Sequence, residues 1–405
     1  MGMKRGSYRT GRETVERVLD ASHELFIDTG YRATSLRAIA GAAGISHPAL
    51  LRHFSSKAEI LTALVDRLDR RYLDRTTGPD GEYRPAPAAE TARHNEATPG
   101  WIPLFTALLG EATSPEHPGR ALMRSRRREA TAIGVREYGA LGGDERAVKL
   151  AVQRLVAGWE GLQILSLYFP GRIDIPARLA AYEEDVRTHG IPPAPPARGA
   201  RTGVSTGVST GVSTAEPGPA ADAAPERTPR ERALYSACVL YARHGYSGTS
   251  MQAVADDAGL TKAALVHLAP TKGALLELVL AELAVPAPHW TGPGGRLRAA
   301  FDRPRWQAAA EIVLMCEAIA PSHPAHRHMA ALLEEGLSGA EQDLKEVQGV
   351  PEGEARTAAQ WIVAVALGAV IASLYEPEEV ELEPLVESAL PLHARGYAAG
   401  EALAR

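Results

Sequence analysis

The chain has 405 residues, 45% apolar and 23% charged, with a formal net charge of −5. That is ordinary soluble composition with room for several cores, and it excludes a global basic field. Any nucleic-acid contact must come from local basic clusters. Cys238 and Cys316 are the two cysteines, which fits a reducing cytoplasm and two small buried hydrophobes, without a disulfide framework.

The amino terminus is basic and polar, without the apolar run that translocation needs. Residues 1–11 read as a polar arm with Lys4, Arg5 and Arg9. From Arg12 to Thr29 the positions Val15, Val18, Leu19, Ser22, Leu25 and Phe26 recur at three and four residues, the stripe of an amphipathic helix. Gly30 stops it. Thr34 or Ser35 then caps a short helix through Ala42, Gly44 makes a tight turn, and Ser46 caps the next helix. Two short helices joined by a glycine turn after a longer one form the helix-turn-helix pattern. Ser55-Ser56 caps a fourth helix that runs from Lys57 past Leu68. Gly78 to Pro99, rich in Pro, Gly and Ala, reads as a loop. Helical patterns resume at Trp101 and continue to about His189.

The chain then says nearly the same thing again. Gly30-Tyr31-Arg32-Ala33-Thr34-Ser35-Leu36-Arg37-Ala38-Ile39-Ala40 returns as Gly245-Tyr246-Ser247-Gly248-Thr249-Ser250-Met251-Gln252-Ala253-Val254-Ala255. The offset holds through Ala43-Gly44-Ile45-Ser46 and Ala258-Gly259-Leu260-Thr261, and still at Lys57 and Lys272. A period this long marks duplication of a whole domain rather than a solenoid. The second head reads as helices over 230–244, 249–258 and 261–268. The match reaches beyond the heads, from Glu111-Ala112-Thr113-Ser114-Pro115-Glu116-His117-Pro118 to Glu317-Ala318-Ile319-Ala320-Pro321-Ser322-His323-Pro324. Between the copies, Ile191 to Thr228 holds a proline run and Gly-Val-Ser-Thr three times, a composition that cannot bury a core and reads as disordered. Roughly 40 such residues span about 35 Å root-mean-square. Trp361 to Tyr375 is apolar but short for a bilayer. Its counterpart Leu155 to Phe169 carries Glu160, so both read as buried interface helices.

Ile39-Ala40-Gly41-Ala42-Ala43-Gly44-Ile45-Ser46 followed by Leu50-Leu51-Arg52-His53-Phe54-Ser55-Ser56-Lys57 closely resembles the TetR family of bacterial transcriptional regulators. The second copy keeps Val254-Ala255, Ala258-Gly259-Leu260-Thr261, Leu265 and Lys272, with Leu268-Ala269 in place of His53-Phe54. The resemblance implies an all-α chain of two tandem units. Each has a three-helix DNA-binding head and a helical body that binds an inducer and dimerises through a four-helix bundle. The expected organisation is a first head at 1–68, its body at 69–190, a linker at 191–228, a second head at 229–285 and its body at 286–405. A tandem copy suggests a chain that contains its own dimer, with further homodimerisation left open.

Leu36, Ile39, Ala40, Ala43, Ile45, Leu50 and Phe54 are spaced to close a small core, as are Met251, Val254, Ala255, Ala258, Leu260 and Leu265. The residues between them are free to face DNA. In the first head these are Ser46, His47, Pro48, Ala49, Leu51, Arg52 and His53, with Arg37 from the preceding helix as a guanine reader implied by the resemblance. Lys57, at a helix start, is expected to hold a phosphate. The second head presents Gln252, Thr261, Lys262, Ala263, Ala264, Val266 and His267, with Lys272 matching Lys57. The family's usual tyrosine on the recognition helix is replaced by Leu51 and by Val266.

The inducer site is expected among 101–189 and 306–400. Trp101, Phe105, Trp159, Tyr168, Trp306, Met315, Trp361 and Tyr375 are its aromatic or soft candidates, each with core packing as the alternative. Arg124, Arg126, Arg127 and Arg128 read as a solvated helix face, with an anionic-ligand site as the alternative. Glu376 to Glu383 reads as a charged loop. His323, His326 and His328 cluster without a completing Cys or carboxylate, so no metal is expected. There is no phosphate-binding glycine loop and no nucleophile elbow. The expectation is a non-enzymatic, cofactor-free cytoplasmic regulator with no membrane partner, a ligand-responsive repressor that reads an asymmetric operator. Two alternatives stay open: a one-headed DNA binder, or a ligand- or partner-binding protein that has lost DNA binding.

Overall fold

A helix forms where apolar residues recur every three or four positions and where its terminal amides find acceptors. The computed structural model describes residues 4–31, 33–76, 86–194, 227–284, 303–346 and 349–387, and among them the regular structure is helical, with no strand. In the first unit α1 (Lys4–Thr29), α2 (Leu36–Ala42) and α3 (His47–Leu51) form the head. Helix α4 (Lys57–Thr76) joins it to a body of α5 (Ala88–Ala97), α6 (Trp101–Glu111), α7 (Arg120–Gly139), α8 (Glu145–Tyr168) and α9 (Ile175–His189). In the second unit α10 (Pro229–His244), α11 (Met251–Asp257), α12 (Lys262–Leu268) and α13 (Lys272–Leu283) repeat the head and its connecting helix. Its body is α14 (Arg305–Glu317), α15 (His326–Glu346), α16 (Glu352–Tyr375) and α17 (Leu382–Glu387). The chain is thus two tandem all-α units. The Gly-Val-Ser-Thr repeats lie outside the described residues.

The short helices hold because their ends are capped identically in both copies. Ser35 accepts from the Ala38 amide and Ser46 from that of Ala49; Ser250 and Thr261 accept from Ala253 and Ala264. Each such cap contributes about 1 kcal/mol. The first head closes on Ile39, Ala40, Leu50 and Phe54, and the second on Val254, Ala255, Leu265 and Ala269, all buried. Where the phenyl of Phe54 is lost, α12 extends to Leu268 and packs that side chain on the core. The second head has repacked around the smaller residue.

Two sequence expectations are corrected. The backbone of residues 4–10 is helical, because α1 meets no proline or cap before Lys4 and continues into the basic arm. Within the stretch read as a loop from Gly78 to Pro99, Ala88–Ala97 is helical. Proline richness before it masked a run with no internal Gly or Pro. Its Ala88, Ala89 and Ala92 are buried, and its first amides donate to the Glu183 carboxylate on α9, 2.7 Å from Ala88 and 3.4 Å from Ala89.

The units meet along α8 and α16. Gly161 faces the backbone of Ala364 so closely that a Cβ there would overlap its carbonyl, and Gly368 faces Ala157 in the same way. The contact is reciprocal, as a two-fold interface requires. The Tyr168 hydroxyl donates across it to the Met315 carbonyl at 2.8 Å, and that of Tyr375 to the Leu109 carbonyl at 3.0 Å. At the rim the acidic run is more than a charged loop. Glu376 accepts from Arg128 at 2.6 Å and Glu381 from Arg146 at 2.7 Å. Such exposed pairs add about 0–1 kcal/mol each. Helix α16 is long and apolar enough to cross a membrane, and 78% of its most apolar window is buried inside the protein.

Gly161→Ala should therefore destabilise the chain by about 1–3 kcal/mol in denaturant unfolding, as overpacking does. Gly336→Ala, on α15 with nothing within 4 Å of the new methyl, should be neutral or gain up to about 1 kcal/mol. Equal effects at the two sites would contradict the close helix approach.

Candidate DNA-reading heads and ligand cavity

In each head the capped glycine-turn pair leaves one face of the third helix uncovered. In the first, Arg37, Ser46, Pro48, Leu51 and Arg52 are exposed, while His47, Ala49 and His53 are partly covered. In the second, Gln252, Thr261, Lys262, Ala263, Ala264, Val266 and His267 are all exposed. Leu51 and Val266 are two of three exposed large hydrophobic side chains among the described residues. They occupy the same position in the two copies. Water disfavours an apolar side chain there, whereas a thymine methyl would accept it. Ser46 and Thr261 spend their oxygens on capping. The Gln252 amide donates to Asp256 at 2.7 Å on its own helix.

Lys57 and Lys272 do work inside the fold. The Lys57 ammonium donates to the carbonyls of Tyr31 at 2.6 Å and Thr34 at 2.8 Å, and lies 4.4 Å from the centre of the Tyr31 ring. Lys272 donates to the Ser247 carbonyl at 3.3 Å and lies 4.3 Å from the Tyr246 ring. Both ammonium groups thus have carbonyl partners inside the head. Their recurrence reflects a shared head–body junction. At its centre Glu111, at the end of α6, accepts the Tyr31 amide at 3.0 Å. Glu317, at the end of α14, accepts the amides of Tyr246 at 2.6 Å and Ser247 at 2.8 Å. Gly30 and Gly245 turn the chain onto these carboxylates with φ of 82° and 69°, and a Cβ at either would come within 2.7 Å of a carboxylate oxygen. Both the conformation and the space favour glycine.

His117 and His323 complete the two junctions. Their rings meet Tyr31 and Tyr246 edge-on at 4.9 and 5.2 Å, and their Nδ1 atoms accept the amides of Gly119 and Ala325, each at 3.1 Å. Burial holds His323 down at about 4, helped by His326 and Lys272, while burial pushes its neighbour Glu317 up against the amides that favour its charge. His326 is occupied too, stacked on Tyr168 and 2.8 Å from the Ala318 carbonyl.

A cavity of about 320 Å³ opens in the first body between α5, α6, α7 and α8. That volume is at the small end of ligand sites. Of the eight candidates, Trp101, Phe105 and Trp159 line it. The other five are packing residues. Tyr168, Met315 and Tyr375 build the interface between units; Trp361 stacks on Tyr182 at 4.8 Å; and Trp306 meets Tyr235 edge-on at 5.0 Å. Aromatic residues on duplicated apolar faces serve the surface the copies share. Sequence reasoning missed the polar liners Tyr138, Glu160 and Gln163, and gave Arg126 and Arg127 a ligand site only as the alternative. The arginine run is likewise more than a solvated face. Arg127 is buried and paired with Glu160, and Arg126 lies over the rings of Trp101 and Phe105. Burial pushes the Glu160 carboxyl up and Arg127 opposes it.

A histidine held near 4 when folded, against an ordinary 6.5, stabilises fully above 6.5 and loses that contribution as pH falls toward 4. The parent's melting temperature should fall more steeply from pH 6.5 to 4 than that of His323→Phe, which keeps a ring against Tyr246 and cannot titrate. Parallel curves would show that His323 does not couple the junction to pH.

The model of bacterial regulatory proteins of the tetR family matches this chain twice, at residues 18–64 and 234–279, which are the two heads. The HTH-type transcriptional activator FasR of Mycolicibacterium smegmatis is 41% identical over 66 residues, 16% of this chain and 30% of the relative. An uncharacterised HTH-type transcriptional regulator of Mycobacterium tuberculosis is 38% identical over 93 residues, 22% and 48% of the two lengths. The HTH-type transcriptional repressor KstR2 of Rhodococcus jostii is 43% identical over 68 residues, 17% and 30%. The matched stretch covers less than half of each of these relatives. The two heads, at residues 18–64 and 234–279, are thus those of bacterial regulatory proteins of the tetR family, and the chain carries them in tandem.

Proposed function

We propose that this chain is a non-enzymatic, DNA-binding transcriptional regulator of the cytoplasm, acting as a single-chain pseudo-dimer on an asymmetric operator under the control of a small molecule. The observation that carries the reading is the pair of unlike surfaces at matching positions. Arg37 stands against Gln252, His47 against Lys262, Pro48 against Ala263, Leu51 against Val266 and Arg52 against His267. Identical heads select a palindrome; side chains with different donor and acceptor patterns prefer different base pairs. The relatives' names, regulators with a helix-turn-helix, support DNA as the partner. Occupying and releasing an operator is enough for repression. The exposed cations Arg37, Arg52 and Lys262 add phosphate contacts to those expected of Lys57 and Lys272.

Ligand control has a physical route. Leu68 of α4 lines the cavity, and the same helix begins at Lys57, which ties the head to the body. A ligand that moves α4 also moves the head, and its affinity for the DNA-competent arrangement sets the coupling.

One observation favours the narrower reading with a single working head. In the second head Asp256 and Asp257 are exposed on α11, and Asp256 holds the Gln252 amide. Single variants separate the two. If both heads bind, Arg37→Ala and Lys262→Ala should each weaken operator binding and flatten its salt dependence by about one unit of slope. Arg37→Ala alone having an effect supports the single head. No shift of operator DNA by the parent at low salt overturns both.

Footprinting combined with the mass of the complex tests the symmetry. The expected outcome is one chain on two unlike half-sites. A palindrome bound by two chains through their first heads would overturn the pseudo-dimer.

A further inference from the structure

The described helices α14, α15, α16 and α17 of the second body correspond to α6, α7, α8 and α9 of the first, with Glu111 matching Glu317 and Tyr168 matching Tyr375. At four lining positions that correspondence breaks from polar to apolar. Arg127, Tyr138, Glu160 and Gln163 of the first unit stand where the second has Leu333, Leu344, Leu367 and Val370. Leu333 and Leu344 are buried. At these four positions the second body has hydrocarbon where the first has a polar group, while Tyr168 and Gly161 of the interface are kept as Tyr375 and Gly368.

In the first body, four polar atoms of residues that line the cavity are unsatisfied. The Trp101 indole Nε1, the Tyr138 hydroxyl and the Gln163 Oε1 are buried without a hydrogen-bond partner, as is the Arg127 Nε beside the nitrogen that holds Glu160. Buried polar groups normally find partners, and leaving one unmade is costly. The indole and guanidinium N–H groups ask for an acceptor, and the amide oxygen asks for a donor. A hydroxyl is both. The walls set the rest of the ligand. Trp101 and Phe105 stack at 5.6 Å with 28° between their planes, and Trp159, Val152 and Leu155 also line the space. Such walls favour a flat ring system. The charge of Arg127 is already met by Glu160, and Glu129 and Glu137 place exposed carboxylates among the lining residues. These features disfavour an anion, and the Arg126 guanidinium over the Trp101 and Phe105 rings disfavours a cation against those walls.

We infer that the cavity of the first unit binds one uncharged, hydroxylated aromatic molecule per chain, and that the second unit binds none. The inference rests on the reading of the chain as ligand-controlled and names the ligand class and stoichiometry.

The test is equilibrium dialysis of the full chain with 2-naphthol, naphthalene-2-sulfonate and 2-naphthylmethylamine at pH 7. The expected result is saturation at one 2-naphthol per chain, with both charged probes at least tenfold weaker. Gln163→Val installs the residue that the second unit already carries and should weaken 2-naphthol at least fivefold. Val370→Gln should leave it unchanged. Tyr138→Phe, which removes a single oxygen, serves if Gln163→Val does not fold, and melting temperatures report folding for each. No binding of 2-naphthol, two molecules per chain, tighter binding of a charged probe, or a folded Gln163→Val or Tyr138→Phe with parental affinity would each overturn the inference. Operator binding measured alongside keeps the two readings apart. Binding of 2-naphthol without any change in operator affinity leaves this inference standing and overturns ligand control. An operator complex with no 2-naphthol binding does the reverse.

Discussion

Two helices can bring their backbones together only where no Cβ stands between them, and this chain meets that condition twice. Gly161 lies on Ala364 and Gly368 lies on Ala157. Because each glycine of one copy meets the matching alanine's partner in the other, the contact is self-complementary, the arrangement two identical subunits reach by symmetry. Everything else is placed from this seam. The Tyr168 and Tyr375 hydroxyls cross it to carbonyls of α14 and α6. Those two helices end in Glu317 and Glu111, the carboxylates that hold the heads. A short chain of rigid elements thus runs from the shared seam to the exposed face of each head.

The junctions show how little the machinery of attachment has drifted. Carboxylate, histidine, tyrosine and lysine keep their roles in both copies, although the heads they carry read different side chains to solvent. Each member satisfies a buried partner, so a change at one leaves another unpaired in a low-dielectric site. The exposed positions carry no such debt. Leu51 and Val266, or Arg52 and His267, differ without consequence for packing.

This difference explains what was legible in the sequence. The heads were, because caps, glycine turns and helical spacing are local and are written twice. Recurrence itself did not distinguish contact with DNA from support of the fold. Lys57 and Lys272 recur because they bind carbonyls across the head, a long-range contact that spacing does not display. Helix α5 was hidden for a related reason, since its amino terminus is held by Glu183 from far along the chain. The cavity was read in part. Large aromatic residues drew attention, and five of the eight candidates turned out to pack the interface and junctions. Tyr138, Glu160 and Gln163 carried a signal of another kind, a polar residue in one copy against an apolar one at the matching place in the other.

Fusion of the two units in one chain removes the constraint that keeps such differences from arising. In a homodimer, a substitution that improves one pocket or one half-site is imposed on both. Here each position can change alone, provided the seam and the junctions survive. Buried polar groups without partners are a cost, and hydrocarbon at such places recovers packing energy. Leu333 and Leu344, both buried in the second body, have that character. The first body keeps an unsatisfied indole, phenol and amide on α6, α7 and α8. The same seam that makes the two halves alike in architecture lets them part in chemistry.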